Sequence, residues 1–476
     1  MTHSKNRCPG PSSRRSFLQM GAVGLGSFGL ADLMRQRAAA KAAGETLRDK
    51  KVIFIWLPGG ASHLETYDMK PEAVSEVRGE LRPIPTVVPG LDICELLPLQ
   101  AQVADKFNVI RSISHHFADH GGGHKRFMTG RDPKEPTGFI NDYPAIGSMV
   151  AKTLEHRHIG LPNYVSGTDP GRDNIDVFSM GTAYLGPAYA PFSVPGNPNS
   201  PTFQVRNLTV EANTGTRLDD RSKLLREFDR LRSEVDNRGM MQAIDQFQQQ
   251  AFEILLSDRA RQAFDLTQES EELRQKYGRN VFGQRALLAR RLVEAGVSFV
   301  TMVLENPFHD DVPMPPGVTY NWDSHAVNCH MYVHEKARFP FYDRAIAALV
   351  ADLYDRGLDE EVMLIVTGEF GRTPRITYAK GSQTGMMQPG RDHWPNVFSL
   401  IVAGGGMQTG QVIGSSTANA EVPKDRPLTP NDLWATMFRH MDIDIETSFL
   451  DHNGRPMPIL PYGEPITELL PASRIG

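Results

Sequence analysis

The sequence predicts an α/β fold with a mostly parallel central sheet flanked by helices, and three observations carry that prediction. Short apolar runs recur along the chain, amphipathic segments separate them, and histidine-bearing polar motifs stand beside the runs rather than inside them. Residues 51–57 (KVIFIWL) are apolar nearly throughout and stop at Pro58-Gly59-Gly60, as a strand covered on both faces does. Residues 107–113, 297–304, 362–367 and 397–403 repeat the pattern, so five central strands are expected. Within 341–356, Ile346, Leu349, Val350 and Leu353 share one helical face, and Gly357 is placed to end that helix. Strands alternating with helices imply parallel pairing, and in such sheets ligands bind beyond the carboxyl ends of the strands.

The N-terminal residues read differently. Ser13-Arg14-Arg15-Ser16-Phe17-Leu18-Gln19 precedes a mildly apolar, glycine-rich stretch and then small residues, the order of a twin-arginine signal peptide over residues 1–43. The expectation is export of folded protein to the periplasm or the extracellular space. Elsewhere no run approaches the ~18 apolar residues needed to span a bilayer, so no transmembrane segment is expected in the mature chain. Residues 44–476 are expected to form a single α/β domain with two elaborations. Residues 156–215, rich in Gly, Pro, Asn and Tyr, read as a loop-rich segment, and 217–296, with Leu224, Leu225, Phe228 and Leu231 at helical spacing, reads as a helical insertion.

Composition removes several function classes. With 51 Lys and Arg against 56 Asp and Glu, nothing argues for a nucleic-acid or membrane-surface partner. Cys8 would leave with the signal, and Cys94 and Cys329 are too few for a disulfide scaffold, although one bridge is possible. The 15 histidines are more informative because they cluster with carboxylates in loops beside the expected strands. These clusters are His63, Glu65 and Asp68; His115, His116, Asp119, His120 and His124; Asp323 and His325; Glu369 with Arg372; and Arg391, Asp392 and His393. Imidazole and carboxylate together suit a divalent metal ion, with zinc, manganese, iron and calcium all open and one ion or two.

Several long motifs in this order, GGASHLETYDMKP, the His/Gly run leading to FMTG, WDSH, GEFGRTP, GRDHWPNVFSLIVAGGG and KDRPLTPNDLWATMFRHMDID, make the chain resemble the bacterial domain-of-unknown-function fifteen-hundred-and-one family. That family looks like a member of the alkaline phosphatase and sulfatase superfamily. The resemblance implies an alkaline-phosphatase-like domain, a metal-dependent hydrolase of phosphate or sulfate esters, and a substrate that is a small anionic ester or a sulfated or phosphorylated polysaccharide.

Carried over residue by residue, the superfamily's nucleophile position, nine before Thr129, holds His120, and the activating position four further on holds His124. Asp323, His325 and His393 resemble metal ligands, and Glu369-Phe370 half matches an Asp-His ligand pair. Where an Asp should close the first strand the chain has Pro58-Gly59, so His63, Glu65 or Asp68 would substitute. Without Ser or Cys at position 120, neither a formylglycine nor a seryl-phosphate mechanism is available, and His120 is either nucleophile or ligand. Arg372 or Arg391 would pair with the anionic group, or Arg372 would instead cap a carboxylate. The competing expectation is a catalytically degenerate, metal-containing binding protein of the cell envelope.

Overall fold

The computed structural model describes residues 49–157, 160–205, 257–309 and 312–470. The expected signal segment, and residues 217–256 of the expected insertion, lie outside them.

Eight strands form the main sheet: β1 (Lys51–Trp56), β2 (Phe107–Ile113), β3 (Tyr164–Thr168), β4 (Phe192–Pro195), β5 (Phe299–Val303), β6 (Val362–Thr367), β7 (Phe398–Gly404) and β8 (Val412–Ile413), in the spatial order β8-β2-β7-β6-β1-β5-β3-β4. All six residues of β1 are buried. Their alternation explains why: Ile53 and Ile55 enter one hydrophobic layer, whereas Val52, Phe54 and Trp56 enter the other. In β6, Val362, Leu364 and Val366 face the first layer, and Met363 and Ile365 the second. A strand covered on both sides needs apolar residues at both phases, hence the continuous runs in the sequence.

Helices α3 (Val281–Glu294) and α4 (Met331–Asp355) supply the first layer; α1 (His120–Thr129), α2 (Ile146–Thr153) and α5 (Pro430–His440) supply the second. α4 starts ten residues before the helix expected from sequence and runs through Pro340. The proline forfeits one backbone hydrogen bond, but Met331, Tyr332, Phe339 and Tyr342 are buried on either side of it and hold the helix together. Gly357 ends the helix in the left-handed region (φ 66°), as expected.

Three expectations are corrected. Residues 397–403 form a central strand, but β7 pairs antiparallel with both β2 and β6. The segment 156–215 is not only loop, since β3 and β4 extend the sheet in parallel beyond β5; both are short, and Gly167 and Pro195 dilute their apolar pattern. The C-terminal part of the expected insertion is not an insertion at all, because α3 buries twelve of its residues between the sheet and the neighbouring helical segments. Cys94 and Cys329 are buried free thiols. Among the described residues, no helix is long and apolar enough to cross a membrane.

Trp434 of α5 pins α1 in place. Its indole donates to the Phe127 carbonyl at 2.7 Å, and its ring lies 5.4 Å from those of both Phe54 and Phe127. Trp434→Ala should cost about 3–5 kcal/mol, read as a lowered denaturant midpoint; an unshifted midpoint would mean that α1 is held by other contacts.

Candidate metal centre

The sequence reads the His/Gly cluster as a loop, but it forms the first turns of α1. Asp119 caps the helix, its carboxylate accepting from Gly121 N at 2.9 Å and Gly122 N at 3.4 Å. Glycine is a poor helix former, so propensity argues against this helix, and close packing explains it. A Cβ at Gly121 would stand 2.3 Å from the Gly138 carbonyl oxygen, and one at Gly123 would stand 3.0 Å from the Phe370 ring. Being four residues apart, His120 and His124 lie on the same face.

Both reach Glu369, just past β6 and fully buried. Its Oε1 lies 2.7 Å from His120 Nδ1 and 3.3 Å from His124 Nε2, and Gly59 N donates to both of its oxygens at 2.9 and 3.1 Å. Burial opposes charge on this carboxyl, but the histidines hold it well below the ordinary range. Gly59 can approach only because it lacks a side chain: its φ is 107°, and a Cβ would meet Asp323 N at 2.6 Å.

Asp323, from the loop after β5, gathers the remaining donors. Its Oδ1 lies 3.1 Å from His325 Nε2, 3.1 Å from His393 Nε2, 3.5 Å from His120 Nε2 and 2.8 Å from Arg372 Nη2. His393 Nδ1 donates to the Ala118 carbonyl at 2.6 Å, and His325 Nδ1 to Asp392 at 2.6 Å. Since those oxygens only accept, each imidazole places a proton on Nδ1, which leaves Nε2 facing inward as the atom available to a metal ion. The two Nε2 atoms are 2.9 Å apart. In neutral rings those nitrogens would present facing lone pairs, an arrangement that a bound metal ion would relieve. Donors at ~2.0–2.1 Å from one tetrahedral ion are spaced about 3.3 Å apart, so the observed spacings fit a metal ion.

Two donor sets result, His120–Asp323–His393 and His120–His124–Glu369. They share His120, which faces Asp323 with Nε2 and Glu369 with Nδ1. Burial disfavours its charge, but the hydrogen bonds to Asp323 and Glu369 push the imidazole up to about 10. His393 is lowered, chiefly by burial. Phe370 walls the cluster, its ring 4.4 Å from His393 and 5.4 Å from His120.

The family described as "Protein of unknown function (DUF1501)" matches residues 49–470. The chain belongs to this family. No curated protein matches it in sequence. Solved structures similar to this DUF1501 chain include a phosphonate monoester hydrolase from Silicibacter pomeroyi, with 12% identity, TM-score 0.37 and coverage of 89% of this chain and 78% of that one. An alkaline phosphatase from the Antarctic bacterium TAB5 has 12% identity, TM-score 0.35 and coverage of 83% and 99%. A sulfatase from Pseudoalteromonas sp. has 12% identity, TM-score 0.33 and coverage of 87% and 71%. Likenesses this loose carry no argument, and the chemistry of the DUF1501 chain is read from its own side chains.

Of the residues singled out in the sequence, the structure brings His120, His124, Asp323, His325, Glu369 and His393 together, sets Arg372 against Asp323 and Asp392 against His325, and leaves His63, Glu65, Asp68 and Arg391 apart. Asp68 is paired with Lys70 at 2.9 Å and with Arg111 at 3.8 Å, and accepts from Ser416, so it does not substitute as a ligand. His63 packs beneath Gly371 with its Nε2 3.4 Å from the Ala420 carbonyl, and burial lowers it to about 4. Glu65 is held by Arg391 at 2.6 Å.

Neither arginine reads an anion. Arg391 also donates to the carbonyls of Val77, Thr373 and Pro374. Arg372, with no exposed surface, donates to the carbonyls of Gly59, Gly60, Trp322 and Arg391 besides Asp323. The sequence places Asp392 in a cluster without giving it a role and does not point to the Ala118 carbonyl; these two groups orient His325 and His393. The partner of Asp392 is His325, 67 residues away, rather than the adjacent His393, so that role has no local signal, and a backbone carbonyl leaves none.

Two outcomes follow. Arg372→Ala should destabilise the protein by about 3–5 kcal/mol in urea unfolding, because it strands a partly buried carboxylate and four carbonyls; a change under about 0.5 kcal/mol would restore an anion-reading role. At pH 8, metal-free His120 is charged, since its value of about 10 lies above the pH. A ligand must be neutral, so metal uptake should expel about one proton per chain, measured by calorimetry in buffers of different ionisation enthalpy. Uptake without proton release would remove His120 from the ligands.

Proposed function

We propose that this protein is an exported, metal-dependent hydrolase of phosphate or sulfate esters. The observation that supports it most is the meeting of two donor sets at His120, with imidazole lone pairs and carboxylates converging at the carboxyl edge of the sheet. Asp323, His325 and His393 would hold one divalent ion; His124 and Glu369 offer a second donor group, and His120, which reaches both, would ligate through one nitrogen at a time. A bound ion supplies an acidified water at neutral pH and polarises the ester oxygen.

The protein's own residues then have separable tasks. Asp392 and the Ala118 carbonyl keep the Nε2 atoms of His325 and His393 deprotonated and aimed at the cluster. Gly59 N and the paired histidines keep Glu369 ionised. Phe370 shields one side of the cluster from water. His120 turns both nitrogens toward carboxylates, which favours the ligand role over the nucleophile.

That same feature favours a second reading, a metal-loaded binding protein of the envelope without turnover. Export by the twin-arginine route suits both, because that route carries folded cargo and metal binding is coupled to folding. The substrate class is an anionic ester, either small or on a sulfated or phosphorylated polysaccharide.

Elemental analysis of the purified protein should find a divalent metal. Turnover on a panel of aryl phosphates, phosphodiesters and aryl sulfates should fall about a hundredfold or more in His393→Ala. Metal retained with silence on every substrate would favour the binding protein; absence of metal would end both readings.

A further inference from the structure

The run His115-His116-Phe117-Ala118-Asp119-His120 brings three imidazoles to the start of α1, and the donor sets use only the last of them. The first is not spare. The His115 side chain is buried, and main-chain groups engage both of its ring nitrogens. Nε2 lies 2.6 Å from the Glu369 carbonyl oxygen, and the Phe117 N–H donates to Nδ1 at 3.1 Å. A carbonyl only accepts and a backbone N–H only donates, so Nε2 carries the single proton of the ring and Nδ1 the lone pair. The ring is therefore neutral, with no nitrogen left for a metal ion.

These two bonds join segments that meet at the metal centre. Glu369 is held at both ends, since its carboxylate accepts from Gly59 N and its carbonyl from His115. On the other side of the ring, fixing the Phe117 amide fixes a turn whose next carbonyl, that of Ala118, accepts from His393 Nδ1 and whose following residues open α1 at His120. The Phe117 side chain packs at Gly122, where a Cβ would stand 3.2 Å from it, so this turn has little room to shift. The His115 amide donates to the Pro395 carbonyl at 2.9 Å, two residues beyond His393. An imidazole carries its donor and its acceptor at fixed points of one rigid ring, so the distance from the Glu369 main chain to the Phe117 amide is set by the ring and not by rotatable bonds.

We propose that His115 is a positioning residue of the metal centre: by bonding Glu369 through Nε2 and Phe117 through Nδ1, it sets the spacing of Glu369, His120 and His393 without touching the ion. The proposal rests on the metal-centre reading given above, but not on turnover. The test is Co(II) binding to the full chain, with affinity measured by chelator competition and coordination geometry read from the visible absorption of the bound ion. His115→Phe keeps a flat ring and neither nitrogen. It should bind Co(II) about tenfold to a hundredfold more weakly than wild type, as loss of an outer-shell partner does, and with a shifted absorption band. His115→Gln can keep the donor to Glu369 but cannot also hold the Phe117 amide at the separation the ring imposes, so it should lie between, about threefold to tenfold weaker than wild type. A merely structural imidazole would lower the urea midpoint of the metal-free protein and leave both Co(II) readouts at wild-type values; that result in either variant overturns the proposal. Wild type that binds no Co(II) ends the metal-centre reading and this proposal with it, whereas wild-type binding that the variants leave unchanged ends this proposal alone. Should His115→Phe not fold, His115→Gln still decides.

Discussion

The buried guanidinium of Arg372 is the contact on which the rest of the centre depends. It joins the loop after β1 through Gly59 and Gly60, the loop after β5 through Trp322 and Asp323, and the segment before β7 through Arg391. Each of those segments either carries a donor or holds one in place. A charge without exposure is tolerable only when its protons are all engaged, and here engaging them draws loops that are distant in sequence onto one point. The neighbouring Arg391, bound to Glu65, does the same one step further out.

Strand direction explains why the donors meet. Asp323, Glu369 and the α1 histidines follow their strands, whereas His393 precedes its own. Were β7 parallel to its neighbours, His393 would stand at the opposite edge of the sheet; its antiparallel pairing with β2 and β6 returns the start of β7 to the edge where the others end.

Much of this was legible in the sequence for a physical reason. Doubly covered strands must be apolar at both phases, so β1, β2 and β6 were found nearly to the residue, and the donors were found because imidazoles and carboxylates are costly to gather without a cation. Strand direction was not legible, since an antiparallel strand buried on both faces has the same pattern. Nor was the α1 helix, because its glycines answer to the crowding of Gly138 and Phe370 rather than to helix propensity. Which of the two roles open to Arg372 applies, pairing with an anion or capping a carboxylate, was not legible for a similar reason: the burial that decides for the cap depends on neighbours remote in sequence.

The segment between the two arms of the metal centre leaves and returns at almost one point. Arg372 and His393 are direct partners in a two-residue antiparallel ladder, and between them a hairpin, Thr377–Lys380 with Met387–Gly390, runs out to an exposed turn bearing Met386 and Met387. The ladder fixes both ends, and closing a longer loop on fixed ends costs little more than closing a short one. The base of the hairpin is not free, because Gln388 donates to the Ala326 carbonyl at 2.8 Å and Ser382 to the Val327 carbonyl at 2.9 Å, which ties it to the loop carrying Asp323 and His325; the exposed tip around Gly385 and Met386 is where length and composition can change while that loop is held.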